Sequence, residues 1–332
     1  MQRIEAEIEA IAAPASRLGE SPLWHPAEQK LYWCDIPAHR LNRFDPASGQ
    51  HDSWDLGDDA ACCAPLLEGG MLVALRGGLE RFDPDTGKCR RIIKAPYDIS
   101  VERFNDGKAD PRGRMWIGTL WEPRDAPKAQ LYVYDRGELQ PRAGNATTAN
   151  GLAWSPDGGT MYWSDTRAHT VYAFDFDPAT GDLGNRRVFA RFAPKVDGAS
   201  ESSYGGRPDL GTGVRYGGRP DGAAVDGEGA YWCAMYEGSR LVRIAPDGTP
   251  LAELPLPVRC PTMPCFGDAD LKTTQPYVVV YSPPEAASES ASSAAPRRKG
   301  RSRKSEPAEA GRRSTSSLLT ENVTRGAAAA AG

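Results

Sequence analysis

The 332-residue chain contains no run of eighteen uninterrupted apolar residues, and its mean hydropathy is −0.52, so a membrane-spanning helix is excluded. Residues 1–10 are acidic and lack the apolar stretch of a secretory leader, which sets the expectation of a cytoplasmic protein. Nucleophile and cofactor signatures are missing too: there is no G-x-S-x-G, no H-E-x-x-H, no Walker loop and no G-x-G-x-x-G after a strand. Four scattered histidines are too few for a His-rich metal site. The seven cysteines, an odd number without C-x-x-C spacing, fit reduced thiols better than a disulfide framework. No segment keeps a 3.6-residue apolar period over twelve residues, which argues against α/β architectures.

Charge is unevenly distributed. Of the net −4, residues 285–332 carry nine Lys/Arg against five Asp/Glu, leaving 31 against 39, or −8, for residues 1–284. An acidic body disfavours nucleic acid as a partner. The run from Arg297 to Lys304 reads as a solvated stretch of the tail.

What the chain does have is a repeat. Apolar segments centred on Tyr32, Leu72, Trp116, Tyr162 and Tyr231 recur at intervals of 40, 44, 46 and 69 residues. Most are preceded by a turn such as Ser155-Pro156-Asp157-Gly158, and most are followed, one strand later, by a second such as Phe44-Asp45-Pro46. Pro presets φ and Gly supplies positive φ, so these are hairpin ends and each unit is a meander of short strands. One small sheet cannot bury both faces unless neighbours stack around an axis. The expected fold is an all-β, six-bladed β-propeller over residues 1–283, with Cys260 to Tyr281 opening the sixth unit.

The long interval has a visible cause, because Tyr204-Gly205-Gly206-Arg207-Pro208-Asp209 recurs as Tyr216-Gly217-Gly218-Arg219-Pro220-Asp221. A duplication loop is expected over about 198–216, with only the second copy running into a strand. Beyond Thr273 apolar alternation stops, and residues 284–332 form a Ser-, Ala-, Pro- and Arg-rich stretch expected to be disordered. The sixth blade is therefore expected to be incomplete, leaving the segment Glu5 to Ile11 without its neighbour.

Polar residues stand at equivalent places where the blades begin: Glu20, Asn105 with Asp106, Asn150, and Asp221. The innermost strand of a propeller borders the central channel, so equivalent positions imply one ring. Each Asp-Gly or Asn-Gly taken singly is an ordinary turn. Converging together, two carboxylates and an amide make a hard-oxygen site for one divalent ion, whether Ca²⁺, Mn²⁺, Mg²⁺ or Zn²⁺.

The motifs Gly19-Glu20-Ser21-Pro22-Leu23-Trp24, Arg103-Phe104-Asn105-Asp106-Gly107-Lys108, Asn150-Gly151-Leu152-Ala153-Trp154 and Pro220-Asp221-Gly222 resemble the SMP-30/gluconolactonase/regucalcin family, in one order over about residues 5–272. The resemblance implies a six-bladed propeller holding a divalent metal through Glu20, Asn150 and Asp221, with substrate contacts from Arg103, Asn105 and Glu122. At Glu122 the local Trp121-Glu122-Pro123 departs from the acidic pair common in the family. It also implies hydrolysis of a small-molecule sugar lactone to the aldonic acid, Asp221 serving as both ligand and base. A non-catalytic calcium-binding propeller is the alternative.

Overall fold

The computed structural model describes residues 1–11, 13–195, 216–267, 276–280 and 319–322, and in these its regular structure is strand apart from one turn of 3₁₀ helix at Ile36–Ala38. Two short strands open the chain, β1 (Gln2–Arg3) and β2 (Glu7–Ala10). The first blade follows as β3 (Gly19–His25), β4 (Lys30–Asp35), β5 (Arg40–Asp45) and β6 (Gln50–Asp55). The second is β7 (Ala60–Pro65), β8 (Met71–Leu75), β9 (Gly78–Asp83) and β10 (Lys88–Lys94). The third is β11 (Glu102–Ala109), β12 (Met115–Trp121), β13 (Ala129–Asp135) and β14 (Glu138–Ala146). The fourth is β15 (Ala149–Trp154), β16 (Thr160–Asp165), β17 (Thr170–Phe176) and β18 (Leu183–Arg191). The fifth is β19 (Arg219–Val225), β20 (Tyr231–Tyr236), β21 (Arg240–Ile244) and β22 (Pro250–Pro255).

In each of these five, neighbouring strands pair antiparallel in sequence order. A last sheet runs β23 (Pro261–Phe266), β24 (Pro276–Val280), β25 (Leu319–Asn322) and then β2. Where six blades were expected, the last of them incomplete, five are complete four-stranded blades. The sixth sheet is assembled from separated pieces because the chain loses its alternating pattern after β23.

Two further expectations are corrected here. The segment Glu5 to Ile11 is not left without a neighbour: β2 pairs antiparallel with β25, so a strand from the tail takes the third place in the sixth sheet. Just upstream, β1 lies parallel to β22 on the fifth blade, so the N-terminus bridges two sheets and covers the edge each would otherwise leave open. Other calls on residues 284–332, the 283/284 boundary and the first copy of the duplication lie outside the described residues. The second copy behaves as expected, with Arg219 to Asp221 opening β19.

The core explains the architecture. In the five complete blades the second strand is largely apolar on both faces and buried except at one end residue at most, as in Leu31, Tyr32, Trp33 and Cys34. Such a strand needs cover on both sides, and the clusters that supply it lie between consecutive sheets. Tyr32 and Leu41 meet Val73 and Phe82, and Trp116 and Leu131 meet Leu152 and Trp163. Trp33, Trp116 and Trp163 are among the largest fully buried side chains, and truncating any one to Ala would cost about 3–5 kcal/mol. Among the described residues no helix is long and apolar enough to cross a membrane.

Candidate functional site

All six inner strands break register with their partners at the same place, between Glu20/Leu23, Ala60/Cys62, Phe104/Gly107, Asn150/Ala153, Pro220/Ala223 and Pro261/Met263. Such irregularities bend a strand and re-aim a side chain. Counted back from the hairpin that closes each inner strand, Glu20, Asn105, Asn150 and Asp221 occupy one position, and Ala61 and Thr262 fill it in the other two sheets. Gly151, at φ +63°, follows Asn150 because a Cβ there would collide with the Tyr231 hydroxyl.

Hydrogen bonds join the ring residues. The Asn105 amide donates to Asn150 Oδ1 at 2.8 Å and to the Ala149 carbonyl at 3.0 Å. Asn150 Nδ2 donates to Thr166 Oγ1 at 2.7 Å, and that hydroxyl donates to the Pro220 carbonyl at 2.8 Å, immediately before Asp221. The Asn150 amide also lies near enough to the Asp221 carboxyl to favour its charged form. Arg103 Nη1 donates to Asn105 Oδ1 at 2.9 Å and to the Phe104 carbonyl at 2.8 Å. Glu20, Asn105, Asn150 and Asp221 are all buried.

Three carboxyls sit within one another's field. Burial first, then the charges of Asp221 and Asp106, holds Glu20 well above the usual carboxylate range, and Arg103 pulls the other way. Burial and the Asp106 charge raise Asp221, against the pull of Arg219. Burial also raises Asp106, and the ammonium of Lys108 opposes it. Asp106 Oδ2 accepts the Leu152 N–H at 2.9 Å, but its Oδ1 is buried without a hydrogen-bond partner. Lys108 itself reaches across the channel and donates to the Ala223 carbonyl at 2.7 Å.

This donor chemistry fits a divalent cation. Buried carboxylates that repel one another are relieved by positive charge, and two carboxylates with an amide oxygen are a hard set. Among the described residues no group of three or more His, Cys, Asp and Glu side chains is placed to hold a metal.

Glu122 is set apart from the ring. Arg76 takes both its oxygens, Nη2 at 2.7 Å from Oε1 and Nη1 at 3.0 Å from Oε2, whereas Arg103 Nε stands 3.9 Å away. Arg76 was no sequence candidate; it lies 46 residues from Glu122, and no local signal announces the pair. On the opposite side of the mouth Glu237 accepts from Lys195 at 2.9 Å, Tyr216 at 2.7 Å and Arg219 at 2.8 Å, and pairs with Arg259 at 3.3 Å.

Residues 18–276 match the model of the SMP-30/gluconolactonase/LRE-like region. The chain belongs to that family. It is 40% identical over 267 residues to 6-deoxy-6-sulfogluconolactonase of Pseudomonas putida, covering 80% of this chain and 84% of the relative. It is 33% identical to the pentonolactonase XacC of Haloferax volcanii, over 77% of this chain and 79% of that one. Chicken (Gallus gallus) regucalcin is 31% identical over 80% of this chain and 84% of its own. Among solved structures, a calcium-binding regucalcin from Agrobacterium tumefaciens superposes with a TM-score of 0.75 at 24% identity, over 87% of this chain and 90% of that one. At that identity the likeness establishes the β-propeller fold of this family member.

Proposed function

We propose that the chain is a divalent-metal-dependent hydrolase that opens a small sugar lactone to its aldonic acid. The observation that carries this reading is the meeting of two functions in one buried cluster: acidic residues within one another's field and that of Arg103, and Arg103 bonded to Asn105, which is itself bonded to Asn150. A bare metal site needs no such polar clamp. Family members named as lactonases for two different sugar lactones support the same reaction class.

Glu20, Asn150 and Asp221 would hold the ion. A divalent cation supplies Lewis acidity for the ester carbonyl and lowers the pKa of water. Asp221 accepts the proton of the attacking water, a task suited to a carboxyl whose pKa is raised by burial. Arg103 and Asn105 fix the sugar hydroxyls so that the carbonyl faces that water. Water adds to the carbonyl carbon, the ring C–O bond breaks, and the products are a hydroxyl, a carboxylate and one proton.

We infer that the sixth sheet is the blade that closes the ring, since β23 packs against both β19 and β3. Seven free cysteines, six of them buried, support a reducing, cytoplasmic setting. The second reading, a metal-binding propeller without turnover, draws on the calcium-binding description of the Agrobacterium structure. Acid release from a panel of pentono- and hexonolactones, measured after chelation and after adding back Ca²⁺, Mn²⁺, Mg²⁺ or Zn²⁺, separates the two. Hydrolysis that returns with metal is expected; metal binding with no hydrolysis of any lactone would leave the second reading.

A further inference from the structure

Blade two places Ala61 in the ring, so it contributes no polar side chain there, yet two of its residues reach the mouth of the site. Asp59 directly precedes β7, and Arg76 sits in the β8–β9 turn. The Arg76 guanidinium uses four of its five N–H donors on fixed acceptors. Nε donates to Asp59 Oδ2 at 2.9 Å, Nη1 to the Ile99 carbonyl at 2.9 Å and to Glu122 Oε2 at 3.0 Å, and Nη2 to Glu122 Oε1 at 2.7 Å. Its backbone is tied as well, for the Tyr97 hydroxyl donates to the Arg76 carbonyl and accepts the Phe104 N–H at 2.8 Å. Arg76 is thus anchored to the residue next to Arg103.

Arg103 faces the same carboxylate from the other side. Its Nε is 3.9 Å from Glu122 Oε1, beyond hydrogen-bond reach, while its Nη1 is bonded to Asn105. Two guanidinium groups therefore compete for one carboxylate, and Arg76 holds both oxygens in the planar, two-point geometry that favours Arg.

We propose that Arg76 is a positioning residue: by occupying Glu122 it withholds that carboxylate from Arg103, leaving Arg103 bonded to Asn105 with its remaining donors turned to the lactone. This rests on the lactonase reading, in which Arg103 contacts substrate. Glu122 is then the counter-charge of the clamp, held by Arg76 through both oxygens.

The test uses Arg76→Met, alone and with Glu122→Gln. In the single variant the freed Glu122 captures Arg103, so KM for the lactone rises about tenfold while kcat stays within about twofold, because Asp221 and the metal-holding residues are untouched. In the double variant the competing charge is gone and KM returns most of the way towards wild type. A merely structural role would lower the melting temperature and kcat together, without rescue by the second change. Unchanged KM in R76M, or a double variant no better than the single, overturns the proposal while lactone hydrolysis by the wild type stands. Should the wild type hydrolyse no lactone, the functional reading fails on its own, and a crystal structure of R76M still decides the positioning role. Arg103 Nε drawn to within hydrogen-bond distance of Glu122 supports it; the 3.9 Å gap preserved overturns it.

Discussion

At one position of the inner strand, blades one, three, four and five present Glu20, Asn105, Asn150 and Asp221, while blade two and the sixth sheet present Ala61 and Thr262. The backbone is alike in all six, since every inner strand breaks register there. The repeat therefore supplies a re-aimed position six times over, and side-chain identity alone separates a site from a scaffold. Blade two shows the complement of this: small in the ring, it works at the mouth through Asp59 and Arg76.

The widest separation is expected from Asp221. Asp221→Ala removes a proposed ligand and the proposed base together, and kcat/KM for the preferred lactone should fall by at least about 10²–10⁴-fold. Asp209, its counterpart in the first copy of the duplicated hexapeptide, should change to Ala with little effect. Equal losses in steady-state assays of the two variants would place the functional aspartate in the wrong copy.

Next in size is Lys108, the cation opposite the buried Asp106. Lys108→Met leaves Asp106 without its charge partner and removes the bond to the Ala223 carbonyl, at a cost on the order of 3 kcal/mol in a urea titration. The sign with pH follows from Asp106. Its folded-state pKa is already raised by burial and rises further without Lys108, so the penalty exists only where the carboxyl ionises. The deficit should therefore be larger at pH 8 than at pH 4. A pH-independent deficit would mean that Lys108 acts through packing alone.

Legibility in the sequence followed sequence separation. The blades were readable because each hairpin is local: turn residues and Tyr-Trp strands sit within a few positions of one another. The ring was readable because the repeat carries it, so one position recurring in four blades pointed to an axis. Contacts between repeats were not. Lys108 and Ala223 are 115 residues apart, and nothing near either announces the other. Glu122 could be named from a family motif, but its capture by Arg76 depends on how blade two abuts blade three. The tail misled for a related reason, since four residues at Leu319–Asn322 are too few for an alternation pattern to register, yet enough to pair with β2.

The mouth over blades four and five offers a smaller, pH-dependent contrast with the mouth over blades two and three. Burial, and then the nearby Arg219, pushes the imidazole of His169 down to about 4 from 6.5. A base depressed in the folded state weakens folding as pH falls from about 6.5 to 4, by roughly 2–3 kcal/mol for this buried ring. Burial pushes Glu237 up, but bonds from Lys195, Arg219 and Tyr216 bring it down to about 2 from 4.5. Its stabilisation is full above pH 4.5 and is lost as pH falls towards 2. Urea midpoints across this range should show two successive losses, with His169→Gln removing the upper one. A single loss confined to pH below 4 would show that His169 charges freely.

The smallest expected effect returns to the ring. Thr262 occupies the position of Asp221, but its hydroxyl donates to the Gly19 carbonyl at 2.5 Å and so ties β23 to β3, where the sixth sheet meets the first blade. Thr262→Val keeps the shape, removes the donor and leaves one carbonyl short of a partner. The cost should be about 1 kcal/mol of folding stability. Lactone turnover should stay within about twofold, because Thr262 contributes neither to the proposed ligand set nor to the substrate clamp. The pairing of a small stability loss with intact kcat/KM distinguishes a closing contact from a working one. If T262V instead lost activity on the scale of D221A, the ring would have a fifth functional member, and the division between the two kinds of blade would fail at the sixth sheet.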